Sequence, residues 1–200
     1  MKKFWLSILA TILFLIITCL VFTQSSFILT IDKVVKIFFA GIHNQLFERF
    51  FAEITKIGDI IPVSIFVIAL SIVLFVSNKH TKSKILLISS GFAISLGTLI
   101  KEITERVRPA GSSIDTIGSS FPSNHSIIAT VLCLFFVYEI SEYIKIKWQR
   151  NIFIISNILL FSLLAFSRIV LSVHWTSDVV AGILLGIICF SISRIVLENH

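Results

Sequence analysis

Apolar stretches approaching the length of a bilayer crossing recur along this chain, and they constrain its fold before any motif is considered. A hydrocarbon core takes about 20 residues of helix to cross. It offers no water to backbone N–H and C=O groups, so a long apolar segment is expected to satisfy its own backbone as a helix. Hydropathy places spans near Phe4–Phe22, Ile60–Val76, Ile85–Ile100, Ser126–Ile140, Ile152–Phe166 and Val179–Leu197. The fourth and fifth are short and should borrow residues from neighbouring loops. The expected fold class is all-α: a polytopic six-helix transmembrane bundle forming a single membrane-embedded domain over residues 1–200. Hydrophobic residues make up 56% of the chain and charged residues 14%, which excludes an ordinary soluble domain. Met1-Lys2-Lys3 and the apolar run behind it have the outline of a signal peptide. No small-x-small cleavage site ends that run, so an uncleaved first helix is expected.

The net charge of +6 raises the question of a nucleic-acid partner. The basic residues lie between apolar runs rather than along one solvated stripe, so phospholipid head groups are the expected partner and nucleic acid is not. Lys2 and Lys3 precede the first span, Lys79, Lys82 and Lys84 separate the second from the third, and Lys145, Lys147 and Arg150 separate the fourth from the fifth. By the positive-inside rule these segments and both termini are cytoplasmic, in a multi-pass protein of the cell membrane. The segments Glu102–His125 and Ser167–Asp178 then face the extracytoplasmic side.

The first outer loop, from Asp32 to Phe51, carries Phe38, Phe39, Ile42, Leu46, Phe47 and Phe50 at helical spacing, with Lys33, Lys36, Asn44, Gln45, Glu48 and Arg49 largely opposite. It is expected to form an interfacial helix that either guards lipid access or caps the bundle. Gly182 with Gly186, and Gly91 with Ser95, have the small-x-x-x-small spacing that lets helices approach closely. Cys19, Cys133 and Cys189 fall inside apolar runs, where they read as small hydrophobes rather than a disulfide or metal framework.

Polar residues at membrane depth are expensive, so those that gather on one side are informative. Three groups do so: Lys101 through Arg108-Pro109, then Pro122-Ser123-Asn124-His125, then Ser167-Arg168 with His174 and Asp178. Each alone has a plain structural reading. A lysine at a span end snorkels, Pro-Ser starts a helix, and a lone histidine is more often structural than catalytic. Together they put two histidines, an aspartate, three cations and a helix-start serine on one face.

These groups resemble the three-part signature of the type 2 phosphatidic acid phosphatase superfamily: K-x6-R-P, P-S-G-H and S-R-x5-H-x3-D. One position departs, because Asn124 stands where the family has glycine. That substitution suggests a positive φ, which asparagine tolerates better than most residues. The resemblance implies a lipid phosphatase that needs neither metal nor cofactor. By this likeness His174 is the nucleophile, forming a phosphohistidine, with Asp178 orienting and stabilising its ring and His125 protonating the leaving oxygen. Lys101, Arg108, Arg168, Ser123 and Asn124 would bind the phosphate. Such phosphatases act on phosphatidylglycerophosphate, undecaprenyl diphosphate or phosphatidate. The signature is shared with soluble vanadium haloperoxidases, against which the membrane spans argue.

Metal-dependent phosphatidyltransferases need clustered carboxylates, and Asp115 with Asp178 makes no such cluster. Zinc held by His125, His174 and Asp178 would be repelled by the three cations. A non-catalytic lipid-binding or transporting protein with a degenerate site remains as the alternative, set against a motif complete but for Asn124.

Overall fold

In the computed structural model, which describes residues 2–42, 44–112, 114 and 116–198, the last helix is the axis around which the others gather. The helices are α1 (Lys2–Phe22), α2 (Ser26–Gly41), α3 (Gln45–Lys56), α4 (Ile60–Val76), α5 (His80–Thr104), α6 (Asn124–Phe135), α7 (Lys147–Val170) and α8 (Thr176–Glu198). A π-helical turn at Phe136–Ile140 and a 3₁₀ turn at Ser141–Tyr143 extend α6. Buried apolar residues lie all around α8, including Val179, Ala181, Leu184, Leu185, Ile188 and Phe190. An apolar helix with buried residues on several faces belongs near the centre of a bundle, and α1, α5 and α6 all pack on α8.

Small residues set how close α8 and α6 come. A Cβ on Gly182 would lie 2.6 Å from the Ser123 carbonyl oxygen, and one on Gly186 would lie 2.7 Å from that of Ile127. The expected close approach is therefore present, and it brings α6 against α8 at the level of Ser123. Gly91 behaves differently. Among the described residues nothing lies within 4 Å of its Cβ position, so Gly91 makes no close helix approach. Gly97, two turns along the same helix, makes the close approach instead, with Ile127 Cδ1 2.6 Å from its Cβ position.

Among the described residues five helices, α6 being counted with the two turns that extend it, are long and apolar enough to cross a membrane, and α3 with α4, bent by 43°, make a sixth if that pair is one broken span. The outer faces fit that solvent: Ile61 is 70% exposed, Val76 75% and Leu159 65%, which water would penalise and hydrocarbon does not. The fourth and fifth spans take up loop residues as expected, reaching Tyr143 and running from Lys147 to Val170. Cys19, Cys133 and Cys189 are free thiols.

The first outer loop is two helices rather than one. Asn44 starts α3, its Oδ1 accepting from the Leu46 N–H at 2.9 Å, so the chain turns instead of continuing α2. Phe39 on α2 and Phe47 and Phe51 on α3 pack with Phe166 and Val170 of α7, which ties both helices to the bundle.

Candidate active site

The site forms where four helix ends meet. Lys101 lies in the last turn of α5, Asn124 and His125 open α6, Arg168 lies in the last turn of α7, and His174 sits in the turn leading into α8. Glu105, in left-handed conformation at φ 45°, ends α5 and turns the chain back across the site, carrying Arg106 and Arg108. Arg106 N–H donates to Ser119 Oγ at 2.9 Å and Ser120 N–H to the Arg106 carbonyl at 2.8 Å, pinning that segment. The α7–α8 turn closes with Val173 and His174 N–H groups on the Arg168 carbonyl, at 3.1 and 3.2 Å.

These elements enclose a cavity of about 1090 Å³. Lys101, Arg108, Asn124, His125, Arg168 and His174 line it, with Asp59 at its rim and Ile60, Ile61, Val63, Ile94 and Ile128 along an apolar wall. Six of the eight residues expected at the site thus share one cavity. The other two stand behind it. Asp178 is fully buried under His174. Ser123 is also fully buried and caps α6, its Oγ accepting from the Ser126 N–H at 3.4 Å and Ser126 Oγ at 3.0 Å.

Hydrogen bonding fixes the His174 tautomer. Arg108 Nη1 lies 3.3 Å from His174 Nε2, and a guanidinium only donates, so Nε2 presents its lone pair. Nδ1 then carries the proton and donates to the Ser120 carbonyl at 2.7 Å. Asp178 Oδ2 flanks the same nitrogen at 3.5 Å. The family resemblance implied that Asp178 orients the ring. Instead a loop carbonyl is the nearer acceptor, and the two residues meet across the start of α8. Burial pulls the His174 pKa down to about 4 against the opposing bond with Asp178, so the ring is neutral at physiological pH.

The cations are held by neutral acceptors. Lys101 Nζ donates to the Ser119 carbonyl at 2.9 Å, Arg108 to the Gly118 and Val173 carbonyls at 2.9 and 3.0 Å, and Arg168 Nη1 to Thr55 Oγ1 at 2.6 Å. Burial also lowers the pKa of Arg108, opposed by Asp178. The buried Nε of Arg168 has no hydrogen-bond partner among the described residues. His125 Nε2 lies 3.2 Å from Asp59 Oδ1.

Asn124 does not have a positive φ. It is the first residue of α6, behind a cap at φ −75°, and the left-handed non-glycine residues among those described are Gln24, Asn78, Glu105 and Ser172. Its buried Oδ1 has no partner among the described residues and lies 3.0 Å from the Cβ position of Gly97. What distinguishes Asn124 from glycine here is a carboxamide beside the cavity.

Sequence reasoning missed Asp32, Thr55, Asp59 and Arg106. The signal for Asp32 was a lone acid on a largely apolar helix, and for Arg106 a second arginine inside K-x6-R-P. Asp115 lies outside the described residues. Among the described residues no three His, Cys, Asp or Glu side chains come together as a metal site.

The PAP2 superfamily model matches residues 3–200. The chain belongs to the PAP2 superfamily. Phosphatidylglycerophosphatase B of Bacillus subtilis (strain 168) is 30% identical over 120 residues, covering 58% of this chain and 59% of that protein. A dihydrosphingosine 1-phosphate phosphatase of Saccharomyces cerevisiae is 29% identical over 111 residues, covering 51% and 28% respectively. The matches thus span less than two thirds of either relative. Among solved structures, the fold is similar to a transmembrane PAP2 type phosphatidylglycerolphosphate phosphatase from Bacillus subtilis, with a TM-score of 0.85, 23% identity and coverage of 100% of this chain and 98% of the other. Aquifex aeolicus LpxE gives a TM-score of 0.64 at 23% identity, over 84% and 94%. The chain is therefore a PAP2 membrane protein with an all-helical, multi-span fold.

Proposed function

We propose that this protein hydrolyses a phosphate ester or diphosphate on a membrane lipid, without a metal ion, through a phosphohistidine on His174. The observation that carries this is the His174 Nε2 lone pair, held 3.3 Å from Arg108 in a cavity also lined by Lys101 and Arg168. Nε2 attacks phosphorus and the bond to the lipid oxygen breaks. His125 donates the proton that oxygen needs, and Asp178 balances the positive charge forming on the ring. His125 then takes a proton from water as the water attacks phosphorus, releasing phosphate and restoring His174. Lys101, Arg108, Arg168 and the Asn124 carboxamide hold the phosphoryl oxygens, where fixed cations lower the barrier without late reorganisation. Ser123 contributes by capping α6, whose N-terminus favours an anion.

The apolar wall of Ile60, Ile61, Val63, Ile94 and Ile128 suits a lipid tail. Phosphatidylglycerophosphate or undecaprenyl diphosphate is the proposed substrate, the former supported by the Bacillus relative. The purified chain in detergent, with chelator present, is expected to release phosphate from one of these or from phosphatidate. No release from any of the three, or release abolished by chelator, sinks the reading.

The alternation of basic loops supports a site facing the extracytoplasmic side, with both termini cytoplasmic. In a cysteine-free background, cysteine at Ile117, which is 99% exposed, should react with an impermeant thiol reagent in intact cells, and cysteine at Lys145 should not. The reverse pattern inverts the topology.

A further inference from the structure

Outside the proposed catalytic set, Arg106, which also lines the cavity, bonds Asp178 and links it to Asp32. Asp178 Oδ2 accepts the Trp175 N–H at 2.8 Å and faces His174, while its Oδ1 receives Arg106 Nη1 at 2.5 Å. The other arm of Arg106 reaches Asp32 Oδ2 at 2.7 Å. Asp32, on α2 and 2% exposed, accepts the Ser177 N–H at 2.9 Å and its hydroxyl at 2.6 Å. That hydroxyl accepts in turn from Arg106 Nη1 at 2.7 Å. A chain of charge, Asp32 to Arg106 to Asp178 to His174, thus runs from the outer helix α2 to the proposed nucleophile. Buried charges repay their desolvation only when well paired and fully hydrogen-bonded, and a planar guanidinium can serve two carboxylates at once.

We propose that Arg106 and Asp32 are positioning residues that divide the negative charge of Asp178, so that His174 enters the reaction as a neutral imidazole. This rests on the phosphohistidine reading above. A carboxylate committed to His174 alone would favour the imidazolium, which has no lone pair to attack with. Arg106 draws off part of that field, and Asp32 limits how much Arg106 takes. The charge around His174 comes from every side: Asp178 on α8, Arg106 and Arg108 on the α5–α6 loop, Lys101 and Glu102 on α5 with Glu105 at its end, Arg168 on α7, His125 on α6, Asp59 ahead of α4, and Asp32 and Lys36 on α2. Removing the cation Arg106 therefore makes His174 easier to protonate, and removing the carboxylate Asp32 makes it harder.

The test is a pH titration of the full chain in detergent micelles with ¹⁵N-labelled histidine, the His174 signal being assigned by its loss in His174→Ala. Wild type should titrate near pH 4. Arg106→Gln should move the midpoint up by about one pH unit, and Asp32→Asn should move it down by less. A merely structural brace predicts the opposite for Arg106→Gln, because a released Asp178 would no longer stabilise the imidazolium. A downward or absent shift in that variant overturns the proposal. Should Arg106→Gln not fold, Asp32→Asn decides alone, a downward shift supporting the division of charge and an unmoved midpoint refuting it. The titration needs no turnover, so failure of the phosphatase reading, seen as no phosphate release, remains separate from failure of this one.

Discussion

The two ends of the bundle bury charge in opposite ways, although the same helices build both. Where α5 begins and α6 and α8 finish, Glu139 is 4% exposed and sits 2.7 Å from Arg194 and 3.7 Å from Lys82. Lys82 also pairs with Glu142, and Arg194 with Glu198 at 2.8 Å. Both cations there have carboxylates. At the other end Lys101, Arg108 and Arg168 donate to carbonyls, a hydroxyl and a ring nitrogen, and among the described residues none of them forms an ion pair. Of the nearby carboxylates, Asp59 and Asp178 are engaged by His125 and Arg106, and Glu102 and Glu105 line the cavity without an ion pair to these three cations among the described residues. A closed ion-pair cluster spends its field internally and fastens helices. Cations held by neutral acceptors keep their field for an incoming anion.

Substitutions at the two ends test that contrast. Arg168→Gln should lower kcat by about 10² to 10³-fold, the usual cost of losing a preorganised partner of the transition state, with little change in thermal stability. Glu139→Ala should cost about 2 kcal/mol of stability, because it takes from each of two half-buried cations one of its two carboxylates and leaves Glu142 and Glu198 as their remaining partners. Its turnover per folded molecule should stay within about twofold of wild type, since the ends are far apart. Steady-state kinetics and denaturation of both variants in micelles read the two effects. An Arg168 variant that is destabilised yet fully active would erase the distinction between the ends. The smallest effect belongs to Asn124. Because it occupies a helical position that both replacements can adopt, Asn124→Gly and Asn124→Val each remove the carboxamide, and each should lower kcat/KM by about tenfold, the worth of one hydrogen bond to a charged group. A valine variant much worse than the glycine variant would restore a backbone role.

The spans were legible because hydropathy and helix length are local properties. Ile60 and Val76 bound α4 as hydropathy places them, and the flanking spans differ by the few residues their loops contribute. The break between α2 and α3 was harder to see, since an amphipathic pattern runs through it, although Asn44 is a good helix start. Motif residues were legible by type and spacing, and six of them line one cavity. Asp32 and Arg106 were not, because their meaning lies in pairings 74 and 72 positions apart in the chain, with each other and with Asp178. Asn124 was misjudged at the backbone because the residue before it, Ser123, starts the helix there.

The central claim is that His174 carries the phosphoryl group. Rapid acid-free quenching of the wild-type protein with a ³²P-labelled substrate identified by the lipid panel tests it most directly. The account predicts protein-bound phosphate that is labile to acid and stable to base, mapped to His174, with His174→Ala folded, unlabelled and slower in turnover by about four orders of magnitude or more. Phosphate release at the wild-type rate from His174→Ala would contradict it.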